Sequence, residues 1–148
     1  MHFLKRHKWA LVSAASLTVL GIGPAVAADA NTVLGTWHTP TKNGIVEIAR
    51  CGASICGRLM TSDHIKTNPD LKDTANKDTA QRGRRLKGMQ ILGGFAYDKN
   101  QWAGGTIYNP DDGGTYKATI TMAGADTLKL KGCIVWPLCK TQTWTRVR

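Results

Sequence analysis

From residue 34 onward the chain is built of short runs in which apolar and polar residues alternate. Thr115-Tyr116-Lys117-Ala118-Thr119-Ile120-Thr121-Met122 is the clearest: its even positions are Tyr, Ala, Ile and Met, its odd ones Thr, Lys, Thr and Thr. A period of two puts one set of side chains in a core and the other in water, as in a half-buried antiparallel strand. Val46-Glu47-Ile48 repeats the pattern, with Glu47 on the wet side. Helical periodicity is hard to find, and the runs are bounded by Gly, Pro, Asn and Asp. That combination predicts an all-β domain. Eight strands are expected, near 34–39, 45–50, 55–61, 89–97, 101–108, 114–122, 126–132 and 140–147. Asn109-Pro110-Asp111-Asp112-Gly113-Gly114 has tight-turn chemistry, and Gly124 and Asp126 mark the following turn.

One connection does not fit the short-loop scheme. Residues 62–88 are almost wholly polar, and Lys72-Asp73-Thr74-Ala75 recurs as Lys77-Asp78-Thr79-Ala80. So long a connection in a small domain is functional or mobile. It reads either as a solvated flap or as a lid that contacts a ligand, with a turn of helix expected around 70–80.

The segment before the strands is of another kind. Lys5, Arg6 and Lys8 precede an uncharged stretch from Trp9 to Gly23, and Pro24-Ala25-Val26-Ala27-Ala28 ends it. Positive start, apolar middle and small-x-small end are the parts of a secretory signal peptide. Residues 1–28 are therefore assigned to a signal, cleaved after Ala27 or Ala28, and 29–148 to a single exported domain, periplasmic or secreted. The apolar run of about fifteen residues falls short of the roughly 20 that cross a bilayer. The mature chain is not expected to span a membrane.

Export bears on the cysteines. Cys51 and Cys56 bracket a turn in CGASIC, and Cys133 and Cys139 another in GCIVWPLC, each between strand-like runs. Cysteines facing across a hairpin meet disulfide geometry, and an oxidising compartment preserves the bond. Local pairing, Cys51–Cys56 and Cys133–Cys139, has the shortest loops of the three possible connectivities. A zinc site and a redox-active pair are the rival readings. Both ordinarily use tighter Cys-x-x-Cys spacing.

Charge and the remaining chemistry narrow the function. Of 20 Lys and Arg, three lie in the signal, leaving 17 against 10 acidic residues, a net +7. Such a protein is drawn to anionic surfaces. The basic residues are scattered except for Arg82, Arg84, Arg85 and Lys87. That cluster reads as a solvated face or as a site for an anionic head group, and the scatter argues against a nucleic-acid groove. No catalytic constellation is visible. Ser54 lacks the Gly-x-Ser-x-Gly elbow, Glu47 should face water, and His38 and His64 stand in no metal-ligand spacing. Asp111-Asp112 is read as turn chemistry rather than a calcium site, and Trp102, Trp136 and Trp144 as core or rim residues. No enzyme activity, metal or cofactor is expected.

Several motifs run in one order: Leu34-Gly35-Thr36-Trp37, Val46-Glu47-Ile48-Ala49-Arg50-Cys51-Gly52, Cys56-Gly57, Asn68-Pro69-Asp70, Leu86-Lys87-Gly88, Gly104-Gly105-Thr106-Ile107-Tyr108-Asn109-Pro110, Gly113-x-x-Tyr116, Leu128-Lys129-Leu130-Lys131-Gly132-Cys133 and Thr143-Trp144-Thr145-Arg146. Together they resemble the bacterial domain of unknown function 2147 family over nearly the whole mature chain. The sequence departs from that pattern at Arg84-Arg85-Leu86, where Arg-Pro-Leu is expected. The resemblance implies export and brings no established activity. Gly35-x-Trp37 on the first strand with Arg146 on the last is similar to the lipocalin signature, in which the tryptophan closes the barrel floor and the arginine packs over it. That implies a single eight-stranded antiparallel lipocalin-like β-barrel with one long polar loop, closed by Gly35, Trp37 and Arg146. Such a barrel can hold one small ligand. Tyr108, Tyr116, Ile120 and Met122 are the expected lining, and a small apolar or amphipathic molecule the expected partner. The alternative partner is an anionic envelope lipid or polysaccharide, bound at Arg82, Arg84, Arg85 and Lys87.

Overall fold

The alternating runs form the strands that their periodicity predicts. A computed structural model describes residues 29–148, so the assigned signal segment lies outside the described residues. Nine strands follow in order: β1 (Gly35–His38), β2 (Ile45–Cys51), β3 (Ser54–Thr61), β4 (Gln90–Gly93), β5 (Ala96–Asp98), β6 (Gln101–Asn109), β7 (Gly114–Gly124), β8 (Thr127–Val135) and β9 (Leu138–Arg146). Their order in the sheet is β4-β3-β2-β1-β9-β8-β7-β6-β5, every pair antiparallel. A further β4–β6 pairing, Leu92 opposite Ile107 and Gly93 opposite Thr106, closes eight strands into a barrel. β5 remains outside as an extra strand on β6.

Two departures from expectation have local causes. The run at 89–97 is two strands, because the chain turns at Gly94 and leaves Phe95 buried. No α-helix forms at 70–80. Instead α1 (Asp63–Thr67) follows Ser62, whose side chain accepts from Ile65 N, and Thr79–Gln81 make a single 3-10 turn. Asn68-Pro69 ends α1, since a residue before proline is pushed out of the helical region. Asn68, Asn76 and Asp78 each accept a backbone N–H two residues on, and such local bonds compete with a helix.

Loops β1–β2, β3–β4, β6–β7 and β8–β9 gather at one end of the barrel, and residues 30–33 and the remaining turns at the other. The second end is closed. Ala30–Val33 form a 3-10 turn beneath the barrel. Trp37 Nε1 donates to Val33 O (2.8 Å) and Trp102 Nε1 to Ala30 O (3.2 Å). The Arg146 guanidinium lies 4.2 Å from the Trp37 ring centre. It donates to Leu34 O (2.8 Å), Thr32 O (2.5 Å) and Ala125 O (3.0 Å). Gly35 allows this approach: a Cβ there would stand 2.7 Å from Arg146 Nη1, and its φ of +126° disfavours other residues. Trp37, Ile48, Ile55, Ile120 and Leu128 pack above, fully buried. The sequence alone gave no sign of the 3-10 turn as a third partner of Trp37 and Arg146.

Both local disulfides are present, Cys51–Cys56 across the β2–β3 turn and Cys133–Cys139 across the β8–β9 turn. All cysteines are paired.

Candidate functional site

Toward the open end the inward positions no longer meet across the barrel, and a cavity of about 700 Å3 remains. Its walls include Val46 (β2), Leu59 (β3), Ile91 (β4), Ile107 (β6), Leu130 (β8) and Trp144 (β9), with Leu71 and Leu86 contributed by the long loop. Polar groups sit at the mouth. Lys42 Nζ pairs with Asp111 Oδ1 at 2.5 Å, linking the β1–β2 loop to the β6–β7 turn. Trp144 Nε1 donates to Gln142 Oε1 (2.9 Å), so this cavity-wall indole is satisfied within its own strand.

The expected lining divides. Tyr116 and Tyr108 border the cavity. Ile120 and Met122 do not. Ile120 is buried in the floor, and Met122 is packed against it nearer the closed end. Periodicity identified the inward face of β7 correctly, but depth along the strand decides which inward residues reach the empty space. Tyr116 Oη donates to Asp112 Oδ2 (2.7 Å), and this bond raises the Tyr116 pKa. Asp112 also accepts from Gly114 N (2.7 Å) and Asn109 Nδ2 (2.8 Å). Burial opposes its ionisation, and the bonds from Tyr116, Gly114 and Asn109 outweigh that and lower its pKa. His64 borders the mouth and is exposed, and His38 is half-buried. Among the described residues no three of His, Cys, Asp and Glu gather as metal ligands.

The long loop is an ordered wall, fastened by a residue the sequence did not single out. Asp73 is fully buried. Its carboxylate accepts from Asn76 Nδ2 (2.8 Å), Arg84 Nε (2.9 Å) and Tyr108 Oη (2.6 Å). Burial alone would raise its pKa, but the three donors prevail and lower it. The same burial and bond push Tyr108 up to about 12. Because Tyr108 belongs to β6, this network ties the loop to the barrel.

The basic cluster bonds largely within the loop. Arg84 bonds Asp73 and lies over the Tyr108 ring, 5.3 Å from its centre. Arg82 Nε donates to Asn76 O (2.8 Å), and Arg85 pairs with Asp70 (2.9 Å). Lys87 is exposed. Of the cluster expected as an anionic-surface site, Arg82, Arg84, Arg85 and Lys87 all stay exposed, and the first three also bond within the loop. Their acidic and carbonyl partners lie in the same loop, hidden in sequence by its uniform polarity. Arg84 also borders a second, shallower cavity of about 360 Å3 between β4, β6 and the loop.

A closed eight-stranded antiparallel barrel, plugged at one end and hollow at the other, is a lipocalin-type architecture. Protein HP1028 from the human pathogen Helicobacter pylori, a solved structure described as belonging to the lipocalin family, has this fold. It superposes with a TM-score of 0.70 at 24% identity, covering 78% of this chain and 82% of that one. No protein with a curated description matches the sequence. Residues 35–146 match the family of uncharacterised proteins conserved in bacteria, DUF2147, and the chain belongs to that family.

Proposed function

We propose that this protein is an exported binding barrel that carries one small apolar or amphipathic molecule in its open-end cavity. The cavity itself carries the reading. Its volume of about 700 Å3 lies within the roughly 300–1,000 Å3 of ligand sites, and such sites combine apolar walls with few polar groups. Val46, Leu59, Ile107 and Leu130 suit an alkyl chain or flat ring, and the Tyr116 hydroxyl and the Lys42–Asp111 pair suit a polar end held at the mouth. The lipocalin fold of the Helicobacter protein supports a binding rather than a catalytic role. Export to the periplasm or beyond is supported by the two disulfides, which persist in oxidising compartments, and by the signal-like start of the sequence.

The test is twofold. Native mass spectrometry of protein recovered from its own bacterium, non-reduced, is expected to show a chain beginning at Ala28 or Asp29, short of four hydrogens, with a small-molecule adduct. Titration of the stripped protein with cis-parinaric acid is expected to give a saturable one-to-one fluorescence signal, through energy transfer from Trp144. A clean apo mass together with no saturable parinarate signal would remove the proposal.

A further inference from the structure

The turn between β8 and β9 is the most apolar exposed surface among the described residues. Ile134, Val135, Trp136 and Leu138 are 74, 60, 75 and 64% exposed, and Pro137 completes the tip. Nothing in the barrel needs these side chains outside, and contiguous exposed apolar groups mark an interaction surface. The tip is held at its base by Cys133–Cys139, so it projects as a braced finger and loses little freedom on docking. Its flanks are basic. Lys131 Nζ stands 4.7 Å from the centre of the Trp136 ring, and Lys140 lies opposite Gly132 on β9. From Thr127 to Arg148 the chain has five basic residues and no acidic one.

We infer that this finger docks the barrel on an anionic lipid bilayer. An indole beside a proline and three aliphatic residues suits the level of the headgroups, where Trp concentrates. Lysines just behind such a tip meet anionic headgroups, while a protein partner for so narrow a tip would require a matching pocket and acidic rim. Position gives the docking a consequence. Ile134, Leu138, Cys139 and Lys140 also border the cavity mouth, so a tip in the bilayer sets the mouth against the lipid. A ligand bearing an acyl chain would then pass between bilayer and cavity without crossing bulk water. The docking rests on the finger and not on the cavity being filled, so vesicle binding and parinarate binding succeed or fail independently.

The experiment uses residues 29–148, which carry the whole closed barrel, with phosphatidylcholine vesicles with and without one quarter phosphatidylglycerol. Trp37 and Trp102 are buried and Trp144 lines the cavity, so the vesicle-dependent changes in indole fluorescence that disappear in Trp136→Phe report Trp136. The expected result is co-flotation with the anionic vesicles, a blue shift, and quenching by brominated acyl chains. Lys131→Gln with Lys140→Gln should weaken that partition about 25-fold, from roughly fivefold per lost basic residue. Trp136→Ser with Leu138→Ser should abolish it, while circular dichroism and the melting temperature stay unchanged. If a variant fails to fold, the conservative Trp136→Phe decides: the part of the brominated-lipid quenching due to the finger is lost with that indole, and quenching that is wholly unchanged counts against the inference. No partition into either vesicle, partition that survives the serine pair, or a blue shift that follows protein concentration without lipid, which would mean a second copy covers the finger, would each overturn the inference.

Discussion

Asp73 is the residue on which the loop's order depends. A fully buried carboxylate costs several kcal/mol unless its oxygens are bonded, and here three donors converge on it. Asp73→Asn turns one acceptor into a donor facing other donors, which should cost about 2–3 kcal/mol in urea denaturation. Arg84 is partly solvated, which holds the figure below that of a wholly buried ion pair. The pH dependence follows from the signs. Asp73 has a lowered pKa, so its contribution is present above the ordinary carboxylate value of 3.8 and is lost as pH falls through the folded value. Tyr108 is raised from 10 to about 12, so its contribution is intact below pH 10 and is lost between 10 and 12. Stability should fall at both limits, and Asp73→Asn should flatten the acid one. A variant within 0.5 kcal/mol of the parent, as surface substitutions usually are, with an unchanged acid limb, would show the network to be unimportant.

Among the elements, the long loop is where sequence and structure diverge most. The strands were legible because alternation is dictated by the sheet itself: Val46 and Ile48 are buried and Glu47 is exposed, as their parity requires. Parity failed where the backbone slips. On β6, Trp102 lies opposite Ile120 but Gly105 opposite Ala118, three residues against two. That bulge puts Ile107, not Tyr108, in step with Trp102 and explains why Tyr108 is free to meet the loop. No sequence signal marks a bulge of this kind beyond the paired Gly104 and Gly105. In residues 62–88 the difficulty is different. Asp73 looks like its duplicate Asp78, yet one is buried and the other exposed, because only tertiary contact separates them. Gly113 supplies such a contact. It has φ +67°, and a Cβ there would stand 2.0 Å from Ala75 O. Gly113→Ala should lift the loop from the β6–β7 turn. Amide exchange should then rise at Asp73 and Asn76, whose N–H groups bond Arg84 O and Asp73 O, while strands β7 to β9 keep their protection. Uniform acceleration throughout the barrel would instead mean that loop and barrel open as one unit.

At the scale of the whole molecule, one barrel is asked to be both solid and hollow, and the two demands are separated along its axis. The floor is packed like any protein interior. There Leu128→Ala should cost about 2–5 kcal/mol by leaving a void among Trp37, Ile120 and Trp144. Filling the cavity should behave in the opposite way. Gly132 borders it, and a Cβ at that position would meet Ile107 Cγ2 at 3.5 Å and Tyr116 Cβ at 4.0 Å, both ordinary contacts. Gly132→Leu therefore starts an apolar side chain from an unstrained Cβ beside the cavity and removes a glycine from a strand interior, where it is unfavourable. The variant should melt at the same temperature or higher, while parinarate affinity falls tenfold or more. Leu128→Ala, measured below its melting point, should keep the affinity. Such opposite responses arise only if the open-end volume is kept empty at the expense of stability. If Gly132→Leu binds as well as the parent, the ligand site lies elsewhere, and the second cavity beside Arg84 becomes the place to look.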